Sequence, residues 1–476
     1  MKKASCHFQL VLQTAVFLCF LLCGCASSGI DSVALDEAFY AGDYSLCAEL
    51  IQNASKSKKH SQIDRLLDIA ILEHYAKSYE ASSRTFSDAD RAIEAAYTKS
   101  IAKAVGAASL NEGISEYAGN IYEYILLNAF NSLNYYNMGE RDEALVEIRK
   151  IEIKQKEYIA KYGELALEDE EADYSSANSF AKSIHVSMDS VYRRIPRKPT
   201  EADLYKDSAF AHYLAALLYL QDKSGSPELH AREYSALSRG AGYASLKEDL
   251  AVPAGMGRLD IISLAGKIIE RQEGTVYIPS FAENGTPLFI TSIEVNGAVI
   301  PAFRLKYVYP YVQEDKSGNL VRPPDSIQSV TVTLDGGDSS RLKLIEWFDD
   351  AVRKDVAVKA RKEFARSIVR STAKKAAAVT SASFAISAAP EKLRFLAEIA
   401  AVKSLDAVDL AETADVRQCR YFPSFAAGGG FTVRPGMYSG KVEYFDAQGN
   451  LAGTDRFENI RVSPGEIAIV ESVCVK

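Results

Sequence analysis

Reactive side chains are sparse in this chain, and most stand in patterns that argue for structure. The cysteines are Cys6, Cys19, Cys23, Cys25, Cys47, Cys419 and Cys474. They form no CxxC pair, and no His/Cys cluster has the spacing of a metal site. His60, His74, His185, His212 and His230 all fall in one helical stretch and none pair at i, i+4. They read as surface or core histidines. Ala426-Ala427-Gly428-Gly429-Gly430 lacks the GxGxxG spacing and the strand–helix context of a phosphate cradle, and reads as a loop before a strand. The acidic run Glu168-Asp169-Glu170-Glu171, with Asp173, lacks the glycine and alternating ligands of a calcium loop and reads as a solvated loop. P-loop, GxSxG and HExxH motifs are absent. No cofactor or metal is expected.

One short stretch is chemically specific. Lys2 and Lys3 precede an apolar block, Phe8 to Cys23, which ends in Leu22-Cys23-Gly24-Cys25. A bilayer crossing needs roughly 20 apolar residues, so this block is short and sits where a signal-peptide core does. Its end resembles the lipobox of bacterial lipoproteins. That resemblance implies a diacylglyceryl group on the Cys25 thiol, cleavage before Cys25, and often a further acyl chain such as palmitate on the new amine. Residues 1–24 are then signal peptide and 25–34 a tether. Each buried methylene contributes roughly 0.8 kcal/mol, and two or three chains would hold where one holds marginally. Ala26 and Ser27 follow Cys25, with no aspartate. By resemblance to enteric-type sorting, that favours the outer membrane.

The 476 residues suffice for about three domains. Loss of Lys2 and Lys3 takes the net charge from −8 to −10. An acidic chain argues against nucleic acid as a partner. An exported compartment permits disulfides. Cys419 and Cys474 could pair, or they and Cys47 could be free thiols.

Residues 35–250 carry helical periodicity. In LDEAFYAGDYSLCAELI, Gly42-Asp43-Tyr44 breaks the pattern, and Cys47 and Ala48 follow. In AFNSLNYYNMGERDEALVEIRKI, Gly139 breaks it, and Ala144 follows. Tyr122, Leu126, Phe130, Leu133 and Tyr136 before the break, and Leu145, Ile148 and Ile151 after it, make two apolar faces. The glycine lets the chain reverse and the alanine lets the helices approach. The arrangement is similar to a tetratricopeptide repeat, read as an irregular solenoid or a plain bundle.

Residues 251–349 read as a β-rich domain, with Asn296-Gly297 as a hairpin turn. Residues 413–476 read as a separate small β domain. The fold class is therefore α+β. Between the two, 350–412 read as a helical segment. Its Val352, Val356, Ala360, Phe364 and Ile368 make an apolar stripe, while Lys362, Arg366, Arg370 and Lys374 recur every four residues. The latter four project from one face and are a candidate contact for anionic lipid or cell wall.

The lipobox, the tract YAGNIYEYILLNAFNSLNYYNMGERDEALVEIRK (117–150), and DVRQCRYFP (415–423) with RPGMY (434–438) together resemble a family of large bacterial lipoproteins with tetratricopeptide-like helices. The family's aromatic is replaced here by Cys419. The resemblance implies an envelope location and no known enzymatic activity. The reading is a scaffold anchored in the bacterial cell envelope through lipid on Cys25, binding other envelope proteins. The alternatives are an envelope enzyme acting on cell-wall glycan or peptide, whose paired carboxylates one sequence would not reveal, and a surface adhesin or ligand-binding lipoprotein.

Overall fold

The computed structural model describes residues 31–55, 63–103, 117–167, 174–183, 188–205, 207–238, 242–279, 282–283, 286–287, 292–295, 298–301 and 303–475. Cys25 and its lipobox, the acidic run with Asp173, His60, His185 and Asn296-Gly297 lie outside the described residues.

Helices come first. They are α1 (Ser32–Ala41), α2 (Tyr44–Ser55), α3 (Ile63–Tyr75), α4 (Tyr79–Lys103), α5 (Ile121–Met138), α6 (Arg141–Leu167), α7 (Ser175–Ser183), α8 (Asp189–Tyr192), α9 (Ala209–Asp222), α10 (Pro227–Leu237) and α11 (Lys247–Leu250). The glycine breaks act as expected. Gly42 and Gly139 end α1 and α5 with φ of 79° and 81°, a left-handed cap that a side chain disfavours. Cys47, Ala48 and Ala144 are buried in the helical core. The Ser132 hydroxyl donates to the Ala144 carbonyl at 2.9 Å, and Ser82 to Ala70 at 2.7 Å. Each bond ties the two helices of one hairpin.

The strands form one sandwich where the sequence suggested two β units. One sheet runs β10 (Lys343–Trp347), β11 (Pro423–Val433), β1 (Gly257–Lys267), β14 (Ile467–Cys474). The other runs β13 (Leu451–Val462), β12 (Gly436–Asp446), β8 (Ile327–Leu334), β9 (Ser339–Arg341). Each sheet mixes strands from 251–349 with strands from 413–476, so those segments are not separate domains. β1 pairs antiparallel with β11 and parallel with β14. Alternation sorts its side chains. Leu259, Ile261 and Ala265 face the second sheet, while Ile262 and Leu264 pack into the helical core. The result is helices, sheet and sheet in three layers.

The expected glycine loop is also corrected. Gly428, Gly429 and Gly430 lie within β11, opposite Ile262, Ile261 and Asp260. A methyl at Gly430 would stand 2.1 Å from the Leu259 carbonyl oxygen and 2.6 Å from Asp260 Oδ1. One at Gly428 would stand 2.7 Å from Ile345 Cδ1 and 3.0 Å from the Tyr213 hydroxyl. The glycines leave room for α9 and for Asp260, not for a ligand.

Outside the sandwich, β2 (Gln272–Pro279) pairs with β7 (Arg304–Tyr311), and β3 (Ala282–Glu283), β4 (Thr286–Pro287), β5 (Ser292–Val295) and β6 (Ala298–Pro301) form two short ribbons. α12 (Phe348–Ala388) packs on β7 through Phe364 and Ile368, and turns at Pro390 into α13 (Arg394–Ala411).

Candidate functional site

The basic stripe of α12 does not form one solvent face. Arg366 is exposed, Lys362 and Lys374 are half-buried, and Arg370 is buried. A four-residue step places side chains along one stripe, but α13 and the segment after it cover part of that stripe. Arg370 donates to Glu412 from Nη2 at 2.5 Å, Ser367 adds its hydroxyl at 3.0 Å, and Lys374 approaches the same carboxylate at 3.6 Å. One turn on, Lys375 is fully buried and donates to Asp409 at 2.6 Å and to the Leu405 carbonyl at 2.9 Å. These cations hold the α12–α13 hairpin together.

The end of the same hairpin presents the opposite character. Val379, Ala382 and Ile386 of α12 and Ala401 and Leu405 of α13 are buried in the core between the hairpin and the β2–β7 ribbon. Phe384 is 70% exposed, Phe395 57% and Ile399 53%, and Leu396 and Val402 are exposed beside them. Phe395, Ile399 and Val402 follow i, i+4, i+7 spacing, so they share one face of α13. Single exposed apolar residues are ordinary, whereas a contiguous group marks a contact surface. Lys392, Arg394 and Lys403 are exposed around it. α12 ends here because Pro390 cannot continue the ladder.

Buried titratable groups join the layers. His74 lies between Asn134 Oδ1, 2.7 Å from Nδ1, and Glu471 Oε1, 2.5 Å from Nε2, so α3 is fastened to β14. The Glu346 carboxylate of β10 accepts from the Tyr205 and Ser208 hydroxyls and the Phe210 amide at 2.7 to 2.8 Å. The segment DVRQCRYFP crosses the helices as an extended strap. Glu123 accepts from the Cys419 amide at 2.5 Å, Asp68 from the Arg420 amide at 2.7 Å, and the Tyr75 hydroxyl reaches the Tyr421 carbonyl at 2.9 Å. Phe422 stacks on Phe130 with ring centres 5.2 Å apart. Burial pushes Asp68 up to about 6 against the pull of Arg420. Cys47, Cys419 and Cys474 are free buried thiols, so Cys419 and Cys474 are not bridged.

Two further clusters were invisible in the sequence. Asp260 on β1 lies beside Asp249, and burial followed by that neighbour raises its carboxyl far above the ordinary range. Arg258 donates to Asp249 at 2.8 Å and approaches Asp260 at 3.3 Å. His212 of α9 meets His230 of α10 with their Nδ1 atoms 3.0 Å apart. Eighteen positions separate these histidines, so helical periodicity could not pair them. The turn at Ser224–Ser226 does so by folding α10 back along α9. Among the described residues, no group of three or more His, Cys, Asp or Glu could hold a metal ion.

Comparison with family models, curated proteins and solved structures found no match to this chain.

Proposed function

We propose that the chain is an acylated lipoprotein of the bacterial cell envelope, anchored through lipid on Cys25, whose folded body is a protein-binding scaffold. Its helical hairpins are read as tetratricopeptide-like, with glycine turns at Gly42 and Gly139 and small residues where the helices meet. The observation that carries the scaffold reading is the exposed apolar end of the α12–α13 hairpin, centred on Phe395 and Ile399. Burying such side chains contributes roughly 1.5–3 kcal/mol each, enough for a few of them to anchor a partner. Anchoring would confine this surface to a two-dimensional layer and raise its effective concentration toward other envelope proteins.

Site-specific photo-crosslinking in intact cells tests the reading. A crosslinker at position 399 should capture one discrete protein, and a crosslinker at the exposed Met437 should not. Phe395→Asp introduced beside it should remove the product while the protein stays folded. Equal crosslinking from positions 399 and 437, or a product indifferent to Phe395→Asp, would count against the hairpin as the contact.

A further inference from the structure

The His212–His230 contact has an unusual proton requirement. Asp207 Oδ1 already accepts the Ser208 amide at 2.8 Å and the Gln155 side-chain amide, so this carboxylate acts as an acceptor. Its Oδ2 lies 2.9 Å from His212 Nε2, which must therefore carry a proton. On the other side, Glu152 Oε1 approaches His230 Nε2 to 3.3 Å, and a carboxylate there favours a proton on that nitrogen. Two neutral imidazoles so arranged would set the lone pairs of both Nδ1 atoms against each other at 3.0 Å. Both rings are buried, so water cannot screen that repulsion.

We propose that one additional proton, carried on His212 Nδ1 and donated to His230 Nδ1, makes this pair an imidazolium–imidazole clasp that opens when the pH rises. The line then reads Asp207 carboxylate, His212 imidazolium, neutral His230, Glu152 carboxylate, with every donor facing an acceptor. Burial, and after it the charge of His212, pushes His230 down to about 4, in keeping with its neutral place in the line. The other charged or titratable groups facing the pair are Glu233 on α10, and Tyr219 of α9, which stacks on His230 and is held by Arg149 of α6. The clasp joins three elements. Glu152 and Gln155 belong to α6, His212 to α9 and His230 to α10, while Asp207 adjoins Ser208, which caps α9 and binds Glu346 of the sheet. Loss of the proton loosens α10 from α6 and α9. Gain of a second proton below about 4 sets two cations together, so the clasp is closed only between these limits.

The test uses the full-length protein with ¹⁵N-labelled histidine. At pH 6 one ring should show two protonated nitrogens and its neighbour a neutral Nε2–H tautomer. Hydrogen exchange of residues 227–237, corrected for intrinsic rates, should speed up about tenfold or more between pH 6 and pH 9, the size of one lost charge-assisted hydrogen bond. Residues 257–267 of β1 report the pH dependence of the fold as a whole, and the speed-up in 227–237 should exceed theirs by that factor. His230→Asn and His212→Asn should each remove the pH dependence. Should a variant fail to fold, the wild-type spectrum still decides. Two neutral rings at pH 6, or exchange in 227–237 that tracks β1 at both pH values, would overturn the proposal. Histidine signals that change on adding EDTA would show a metal in the proton's place and overturn it equally.

Discussion

The Arg370 guanidinium grips both carboxylate oxygens of Glu412, 42 positions further along the chain, at 2.5 to 3.3 Å. Both side chains are buried, at 4% and 0% exposure. A cation taken from water is tolerated only with such a partner. This pair fixes where the chain leaves α13 and starts back toward the sandwich.

Glu412→Ala would take this carboxylate from the buried Arg370 and the acceptor from Ser367. The expected loss is about 3–5 kcal/mol. Replacing both members, Arg370→Met with Glu412→Leu, should cost much less than Glu412→Ala alone. Urea denaturation of the three proteins checks this. Equal losses in the single and double variants would show that the pairing itself contributes little.

The first helical hairpins offer a sharper test of local packing. Ala144 is fully buried where α5 and α6 meet. Ala144→Leu should overpack that contact and cost about 1–3 kcal/mol. Gly139→Val should also destabilise, through its left-handed backbone alone, because no atom lies within 4 Å of the added methyl position. The expected order in thermal melts is Ala144→Leu below Gly139→Val below wild type.

These hairpins were legible in the sequence because their determinants are local. Gly139, Ala144 and the apolar faces around them lie within 30 residues. α12 was equally plain from its stripe of Val352, Val356, Ala360, Phe364 and Ile368. What the sequence hid depends on pairing at long range. GRLDIISLAGK carries apolar residues on both faces, since β1 is central and covered by helices on one side and a sheet on the other. It therefore lacks the alternation that marks a half-exposed strand. The glycine run looked like a loop because its reason is steric and lies on other elements, at Tyr213, Ile345 and Asp260. Arg370 looked solvent-facing because its partner lies beyond the next helix. Cys25 is the reverse case, read from local sequence alone.

Gly428 tests the steric account. Gly428→Ala should destabilise by about 1–3 kcal/mol, since the new methyl meets Ile345 Cδ1 at 2.7 Å. Adding Ile345→Val removes that atom and should recover part of the loss, a coupling expected of residues in contact. A double variant no better than the sum of its single changes would place the strain elsewhere, at the Tyr213 hydroxyl.

The anchor is tested by chemistry. Cys25→Ala should abolish fatty-acid labelling and release or stall the precursor. Undiminished labelling would defeat the lipobox reading, and labelling lost only with Cys23→Ala would move the site to that thiol. Neither result bears on the hairpin contact, which photo-crosslinking reads separately.

The joint between α3 and β14 should be pH-dependent. His74 has acceptors on both ring nitrogens, Asn134 Oδ1 and Glu471 Oε1, so both nitrogens donate and the ring is an imidazolium. Burial presses its pKa down, but the Glu471 charge and the hydrogen bonds from the ring to Glu471 and Asn134 overcome it, and the net shift is upward. A histidine whose folded pKa exceeds its unfolded value binds more protons when folded. Its contribution is therefore complete below the unfolded value near 6.5 and is lost as the pH rises through the folded value. Glu471→Gln keeps the shape and an acceptor but removes the charge. At pH 6 the wild type should exceed this variant by about 3–5 kcal/mol, the cost of unpairing a buried ion. As the pH is raised from 6 toward 10 the gap should narrow, and taking the difference between the two proteins cancels the titration of other groups. Urea midpoints of both proteins across that range provide the measurement. A gap that stays constant or widens would mean that His74 is neutral at pH 6 and that Glu471 acts only as a hydrogen-bond acceptor.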